Sequence, residues 1–309
     1  MIYTLTLNPA IDKEFLVPTI EVDQVLRAQS VQLDFGGKGF NVSRMLKSLG
    51  RSSTALGFVG GNAGEVLQNG LIQLGIDTDF VVVGGETRTN ISIVPADRGH
   101  YIKVNEPGPI IQDFEVGWLN QKIKSLLRPD DWWVLAGSLP LGLSESCYAD
   151  LIVLIQSKGA HTVLDTSGDA LRYGCEKEAF LVKPNVIEAE KITGIAIKNL
   201  SDAQTCAQMI VSFGPQNVVL SLGEQGALWA TADETWLAIS PPIVEHNPIG
   251  AGDSLVGGIV WGLSQNLPIQ ECLCWGVACG SAAASLDGTA VGSYDYVYGL
   301  KQKTRIKQL

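Results

Sequence analysis

Histidine is scarce in this sequence: three residues, at 100, 161 and 246, in a chain of 309. Their spacing fits no zinc site. The six cysteines, at 147, 175, 206, 272, 274 and 279, contain no CxxC pair and no regular framework. Cys272 and Cys274, two apart in an apolar helical stretch, fall on different faces, so the cysteines are read as free buried thiols in a reducing compartment. Positive charge is also in deficit, with 22 Lys and Arg against 32 Asp and Glu and a formal net charge of −10. Such a field repels a phosphate polyanion and argues against a nucleic-acid partner. No apolar run reaches the length of a membrane span, and the amino-terminal MIYTLTLNPAID carries neither a basic leader nor a continuous apolar core. The expectation is a cytoplasmic protein without a membrane partner. Familiar fingerprints are missing too. There is no GxGxxG and no GxSxG, and FGGKGFN (35–41) is not a Walker A loop, because Gly39 stands where Ser or Thr belongs. Dinucleotide oxidoreductase, P-loop enzyme and esterase all lose ground.

What is present is an alternation of short β-branched runs with helical patterns. Strands are expected at 2–8, 53–60, 132–138, 162–167, 180–185 and 217–223. Helices are expected at 41–50, 63–76, 113–127, 145–158 and 201–213, and another from the turn at 250 to about 264. This predicts an α/β fold with a doubly wound, mostly parallel sheet flanked by helices, whose ligand lies beyond the carboxyl ends of the strands. Residues 12–36 and 88–105 read as strands without crossover helices, with a hairpin around ADRG (96–99). Either they form a small second sheet, a β lid over the ligand end, or they extend the main sheet; pattern alone leaves both open. No repeat or flexible linker divides the chain, so a single domain over 1–309 is expected.

Three glycine-bearing turns carry the chemistry. In NPIGAGDS (247–254), Gly250, Ala251 and Gly252 lead into an apolar helix, and the unpaired N–H groups of its first turn, without side-chain bulk, suit an anion. Asp253 beside them suits a general base, although an Asp near a helix start is commonly a cap; a cap does not require the flanking glycines. In FGGKGFN, Gly36, Gly37 and Gly39 permit close approach of backbone to ligand, Asn41 can bond hydroxyls and Lys38 supplies charge; a glycine turn with a solvated lysine is the plain alternative. Arg88 in GETRTN is either an exposed strand arginine or a bidentate phosphate clamp. KPNVIE (183–188) is a capping box of Asn185 and Glu188, or a site where Lys183 meets nucleotide phosphates and Asn185 and Glu188 hold water on Mg²⁺. SLGEQGALW (221–229) is a hairpin or a backbone cradle for a nucleotide.

Together, TLNPAID, GGKGFNVSRML, GETRTN, AGSLP, VKPN with its NxxE, SLGEQGALW and NPIGAGDSLVGG resemble the ribokinase-like carbohydrate kinases, the PfkB family, over nearly the whole chain. TLNPAID with GGKGFN and ETRTN looks most like the branch containing 1-phosphofructokinase and tagatose-6-phosphate kinase. The resemblance implies ATP-dependent phosphorylation of a ketohexose phosphate, with ATP and Mg²⁺ bound and a homodimer formed through the lid. It implies Asp253 as base and Gly250, Ala251 and Gly252 as anion hole. It also implies Asp12, Gly37 and Asn41 on sugar hydroxyls, and Lys38, Arg88 and more weakly Arg27 on the substrate phosphate. Lys183, Asn185, Glu188, Ser221, Gly223 and Gly226 would serve ATP and its metal. Phe35 before GGKG and Leu141 after AGSLP depart from the branch and bear on how the sugar or lid sits. A non-catalytic sugar-phosphate sensor is disfavoured, because Asp253 and the glycine turn are both retained.

Overall fold

Alternating side chains of the strands feed two separate apolar layers. Tyr3, Leu5, Trp133 and Leu135 point into one cluster, while Ile2, Val134, Val163 and Leu181 point into another. A sheet buried on both faces requires this, and it explains why its strands read as near-continuous apolar runs. The structure is a computed structural model that describes residues 1–97 and 99–309. Among these residues eleven strands form the main sheet. Ile2–Thr6 lies between Thr54–Val59 on one side and Trp132–Ala136 on the other, followed outward by His161–Asp165, Leu181–Val182 and Asn217–Ser221, all parallel. Ala227–Ala230, Thr235–Ile239 and Arg305–Gln308 continue that edge antiparallel. The chain order reverses at Ile2–Thr6, which opens a crevice at the carboxyl ends of the central strands.

Local chemistry sets where elements stop. The strand expected to reach 138 ends at Ala136, because Gly137 turns away at φ 103°. Regular pairing of the run 180–185 is confined to Leu181–Val182, since Pro184 has no N–H to donate, and beyond it Asn185 makes only an isolated bridge to Ser221. The helix expected from 41 starts at Lys38, so the GGKG turn is its mouth. Tyr294–Lys301 and Arg305–Gln308, absent from the expectations, are a short helix and a fully exposed edge strand with little periodic signal. Trp229 is core: it is fully buried and its indole N–H donates to Asn217 Oδ1 at 2.9 Å. All six cysteines are free; five are buried and Cys147 is half-buried. Among the described residues no helix is long and apolar enough to cross a membrane.

The segments left open by pattern form a separate sheet. Ser30–Gly36, Ala10–Val17, Arg88–Pro95 and Ile102–Asn105 lie side by side in that order. The turn expected at 96–99 includes residue 98, which lies outside the described residues.

Helix Ala251–Leu263 is held against helix Ile269–Ala284 by glycines that bring the backbones together. A Cβ on Gly258 would lie 2.7 Å from the Trp275 carbonyl, and one on Gly280 would lie 3.0 Å from the Ala251 carbonyl. The first turn of the helix that opens at Ala251 is therefore fixed by backbone contact.

Candidate active site

A cavity of about 370 Å³ opens at the carboxyl ends of the central strands and is walled on its far side by the small sheet. Thr6, Gly137 and Thr166 line its floor, Asp253, Asn41 and Lys38 one wall, and Asp12, Asn90, Arg88 and Lys103 the wall contributed by the small sheet. Several polar atoms here are buried without a partner among the described residues: Asn8 Oδ1, Asn41 Oδ1, Asn90 Oδ1, Arg88 Nε and Asp165 Oδ2. Buried polar groups are ordinarily paired, so such a concentration marks a surface built for a polar ligand.

The turn before Asp253 has the geometry that the glycines imply. Gly250 sits at φ 78°, a left-handed conformation costly for a side chain with a Cβ. The Ser254 N–H makes the first intrahelical bond, to Gly250 O at 2.9 Å. The Ala251 amide donates to Pro248 O at 3.2 Å, whereas those of Gly250, Gly252 and Asp253 meet no acceptor among the described residues. The open donors thus include the Asp253 amide itself, while that of Ala251 is engaged. A Cβ on Gly252 would lie 3.6 Å from Lys183 Nζ, which brings that ammonium to the same turn.

Asp253 is buried and does not cap its helix. Its Oδ2 accepts from Asn41 Nδ2 at 2.8 Å. Burial, helped by the negative charge of Asp165, pushes its pKa up to about 6 against the opposing pull of Lys38, Asn41 and Lys183. The fold thus makes Asp253 a more basic carboxylate than an ordinary aspartate.

Asp165, which the motifs did not single out, ties the charged groups together. Its Oδ1 accepts from Lys38 Nζ at 2.9 Å and lies 3.3 Å from Lys183 Nζ. Burial opposes its ionisation, but the two ammonium groups outweigh burial and hold its carboxyl below the usual carboxylate range. Burial likewise opposes the charge on Lys38, yet Asp165 and Asp253 hold that ammonium well above the usual lysine range. The position is legible in retrospect: Asp165 ends the strand in TVLDTS, at the carboxyl edge where ligands bind.

On the opposite wall Asp12 Oδ1 accepts from Asn90 Nδ2 at 2.8 Å, and a Cβ on Gly36 would lie 2.1 Å from Asp12 Oδ2. Gly36 is therefore glycine because Asp12 occupies its side-chain space. Arg88 is anchored through Nη2 to Asn8 O at 3.0 Å and Nη1 to Glu106 O at 3.3 Å, leaving Nε unpaired among the described residues. Lys103, also missed, lies across the strand pair opposite Ser92 and reaches the cavity. Arg27 is exposed on the connection between the first two strands of the small sheet and does not line the cavity. Phe35 and Leu141 do not line it either. The Phe35 ring packs into the space left by Gly70, and Leu141 is half exposed.

Asn185 and Glu188 complete the capping box: the Glu188 N–H donates to Asn185 Oδ1 and the Asn185 N–H to Glu188 Oε2, each at 2.9 Å. Glu188 nonetheless lines the cavity. Ser221 bridges to Asn185 in the adjacent chain segment. Beyond it come the tight turn Gly223–Gln225 and Gly226 at φ 105°, where a Cβ would lie 2.0 Å from the Ala238 carbonyl. The expected nucleotide residues thus sit together along the strand ends next to Lys183.

Residues 5–294 match the profile described as pfkB family carbohydrate kinase. The chain belongs to the PfkB family. The 1-phosphofructokinase of Bacillus subtilis (strain 168) is 35% identical over 309 residues, covering 100% of both chains. That of Escherichia coli (strain K12) is 34% identical over 293 residues, 93% of this chain and 92% of its own. The crystal structure of E. coli phosphofructokinase-2 in complex with potassium superposes with a TM-score of 0.92 at 32% identity, covering 97% of this chain and 98% of that one. This PfkB protein is an ATP-dependent sugar-phosphate kinase, and the cavity at the strand ends is its candidate active site.

Proposed function

We propose that this kinase transfers the γ-phosphoryl group of ATP to the 6-hydroxyl of fructose 1-phosphate, giving fructose 1,6-bisphosphate and ADP. The observation that carries the reading is the single cavity shared by a buried carboxylate on a turn of open amides and by Arg88 and Lys103 across from it. The choice of sugar rests on relatives named 1-phosphofructokinase that align along the whole chain.

In this reading the substrate's existing phosphate lies against Arg88 and Lys103, with Asp12 and Asn90 on the ring hydroxyls. The 6-hydroxyl faces Asp253, whose orientation Asn41 fixes. As the bond from O6 to phosphorus forms and the bond to the ADP oxygen breaks, Asp253 takes the hydroxyl proton. The amides of Gly250, Gly252 and Asp253 and the ammonium groups of Lys38 and Lys183 face the charge on the phosphoryl oxygens. Phosphoryl transfer depends chiefly on such positioning and charge stabilisation. Ser221, Gly223 and Gly226 would flank the nucleotide.

The donor set fits Mg²⁺ held largely through water. Glu188 lines the cavity with only its Oε2 engaged among the described residues, and those residues contain no cluster of three or more His, Cys, Asp or Glu able to form an all-protein cage. Mg²⁺ characteristically keeps its waters and uses one or two carboxylates plus substrate phosphates. Asn185 and Glu188 would hold it, and it would neutralise phosphate charge.

The small sheet is proposed to act as a lid, and its outer face to pair with a second copy. Its cavity side carries Asp12, Arg88, Asn90 and Lys103, whereas Val31, Leu33, Ile102 and Val104, from the alternate positions, are exposed. A sedimentation profile of monomer alone would exclude the pairing.

An ADP-release screen over fructose 1-phosphate, fructose 6-phosphate, tagatose 6-phosphate and free ketoses tests the assignment, and fructose 1-phosphate is expected to give the highest kcat/KM. A preference for fructose 6-phosphate is the second reading, favoured by the 33% identity to the E. coli ATP-dependent 6-phosphofructokinase isozyme 2.

A further inference from the structure

Away from the cavity, one side chain joins three parts of the molecule. Arg44, on the helix Lys38–Ser48, is largely buried, and its guanidinium donates from Nη2 to Asp34 Oδ1 and to Phe35 O at 3.2 Å, and from Nη1 to Thr289 Oγ1 at 2.6 Å. The Thr289 hydroxyl donates in turn to Asp34 Oδ2, closing a ring of three side chains. Asp34 belongs to the small sheet, two residues before Gly36. Thr289 follows the helix Ile269–Ala284, in the segment that supports the amide turn. There the Asn247 side chain donates to Gly288 O at 3.0 Å, and its Oδ1 accepts from the Ile249 N–H at 3.0 Å, one residue before Gly250. The backbone amides of His246 and Asn247 also bond Ala284 O.

A path of hydrogen bonds joined by single steps along the chain, from Thr289 to Gly288 and from Ile249 to Gly250, therefore runs from the small sheet through Arg44 to the turn that opens at Gly250. The ring forms part of the wall of a second cavity of about 460 Å³, lined by Leu33, Phe35, Leu74 and Val291 among others. The small sheet is thus loosely packed on this side. Across open space, a bidentate arginine held by a carboxylate and a hydroxyl is a directional link where apolar packing is sparse.

We propose that Arg44, with Asp34 and Thr289, is a positioning element that couples the placement of the small sheet over the sugar phosphate to the geometry of the amide turn at Gly250–Asp253. None of the three lines the reaction cavity. They act through the orientation of the groups that do. The inference rests on the proposed lid role of the small sheet and is independent of which sugar phosphate is bound.

The test compares Asp34→Asn, Thr289→Val, Thr289→Ser and the double variant Asp34→Asn/Thr289→Val. Each is assayed for ATP hydrolysis without sugar and for turnover with a saturating sugar phosphate that the wild-type kinase uses. A wrong sugar assignment then appears in the wild type alone. Because small misplacements of reacting groups are costly, Asp34→Asn and Thr289→Val should each lower the ratio of sugar-dependent turnover to basal hydrolysis by about tenfold. Basal hydrolysis and KM for ATP should stay within about twofold of wild type. Thr289→Ser, which keeps the hydroxyl, should restore the ratio, and the double variant should be no worse than either single change, since both break one link. An unchanged ratio in both single variants overturns the proposal. So do a parallel fall in basal hydrolysis, or losses that multiply in the double variant. Should Asp34→Asn fail to fold, the contrast between Val and Ser at 289 decides alone.

Discussion

Asp165 is the acceptor that two lysines share, and it is almost wholly buried with Lys183 beside it. Removing a partner from a buried ion pair leaves charge in a medium that solvates it poorly, so Asp165→Ala should lower folding stability by about 3–5 kcal/mol, read by urea denaturation. A loss below about 1 kcal/mol, the range of a surface pair, would show the triad to be solvated. Asp253 behaves oppositely. Its pKa of about 6 in the fold exceeds the ordinary 3.8, so the folded state holds this proton more tightly than the unfolded chain does. Ionising it above pH 6 costs stability, and lowering the pH through 6 toward 3.8 recovers that cost. Thermal unfolding of Asp253→Asn should show a higher midpoint than wild type above pH 6, with the gain shrinking in acid. Activity carries the reverse sign. The base works ionised, so kcat/KM should fall on the acid side with an apparent pKa near 6, a limb that a pH profile over that range would reveal or exclude.

At the scale of elements, the pair of helices Ala251–Leu263 and Ile269–Ala284 fixes the reacting turn because glycine lets their backbones touch. A Cβ at Gly258 would meet the Trp275 carbonyl at 2.7 Å and the Gly276 Cα at 2.9 Å, and neither atom is the free end of a side chain. Gly258→Ala should therefore cost about 1–3 kcal/mol by overpacking. It should also depress kcat, because parting the helices at Gly258 disturbs the same helix pair whose contact between Gly280 and the Ala251 carbonyl holds the opening turn. Stability measured by denaturation with kcat unchanged would dissociate the turn from the packing. Much of this was legible in the sequence. The glycine pattern of NPIGAGDSLVGG announced a helix mouth open to an anion, and the missing crossover helices at 12–36 and 88–105 announced strands outside the main alternation. The Arg44–Asp34–Thr289 ring was not legible, since its members come from a helix, a strand of the small sheet and a loop 255 residues away from that strand.

For the whole molecule, the fold brings into one cavity residues from opposite ends of the chain: Thr6 and Asp12, Asn41, Arg88 and Lys103, Glu188 and Asp253. Asn41, Arg88, Glu188 and Asp253 were legible because they stand in or beside the glycine- or proline-bearing runs FGGKGFN, GETRTN, KPNVIE and NPIGAGDS, and Asp12 followed from the family resemblance. Asp165 and Lys103 were not legible, because their surroundings in sequence look like ordinary strand, and Arg27, the weaker candidate for the substrate phosphate, lies outside the cavity. Charge shows the same division of scales. A net −10 repels anions at a distance, yet Lys38, Lys183, Arg88 and Lys103 gather around one crevice, and local charge governs there. The central claim is that Asp253 takes the acceptor hydroxyl's proton at a turn of open amides. Steady-state kinetics of Asp253→Asn, with ATP affinity measured in parallel by calorimetry, tests it most directly. The predicted result is a fall in kcat of about 10²–10⁴-fold with ATP affinity unchanged, whereas turnover within a few-fold of wild type would contradict the account.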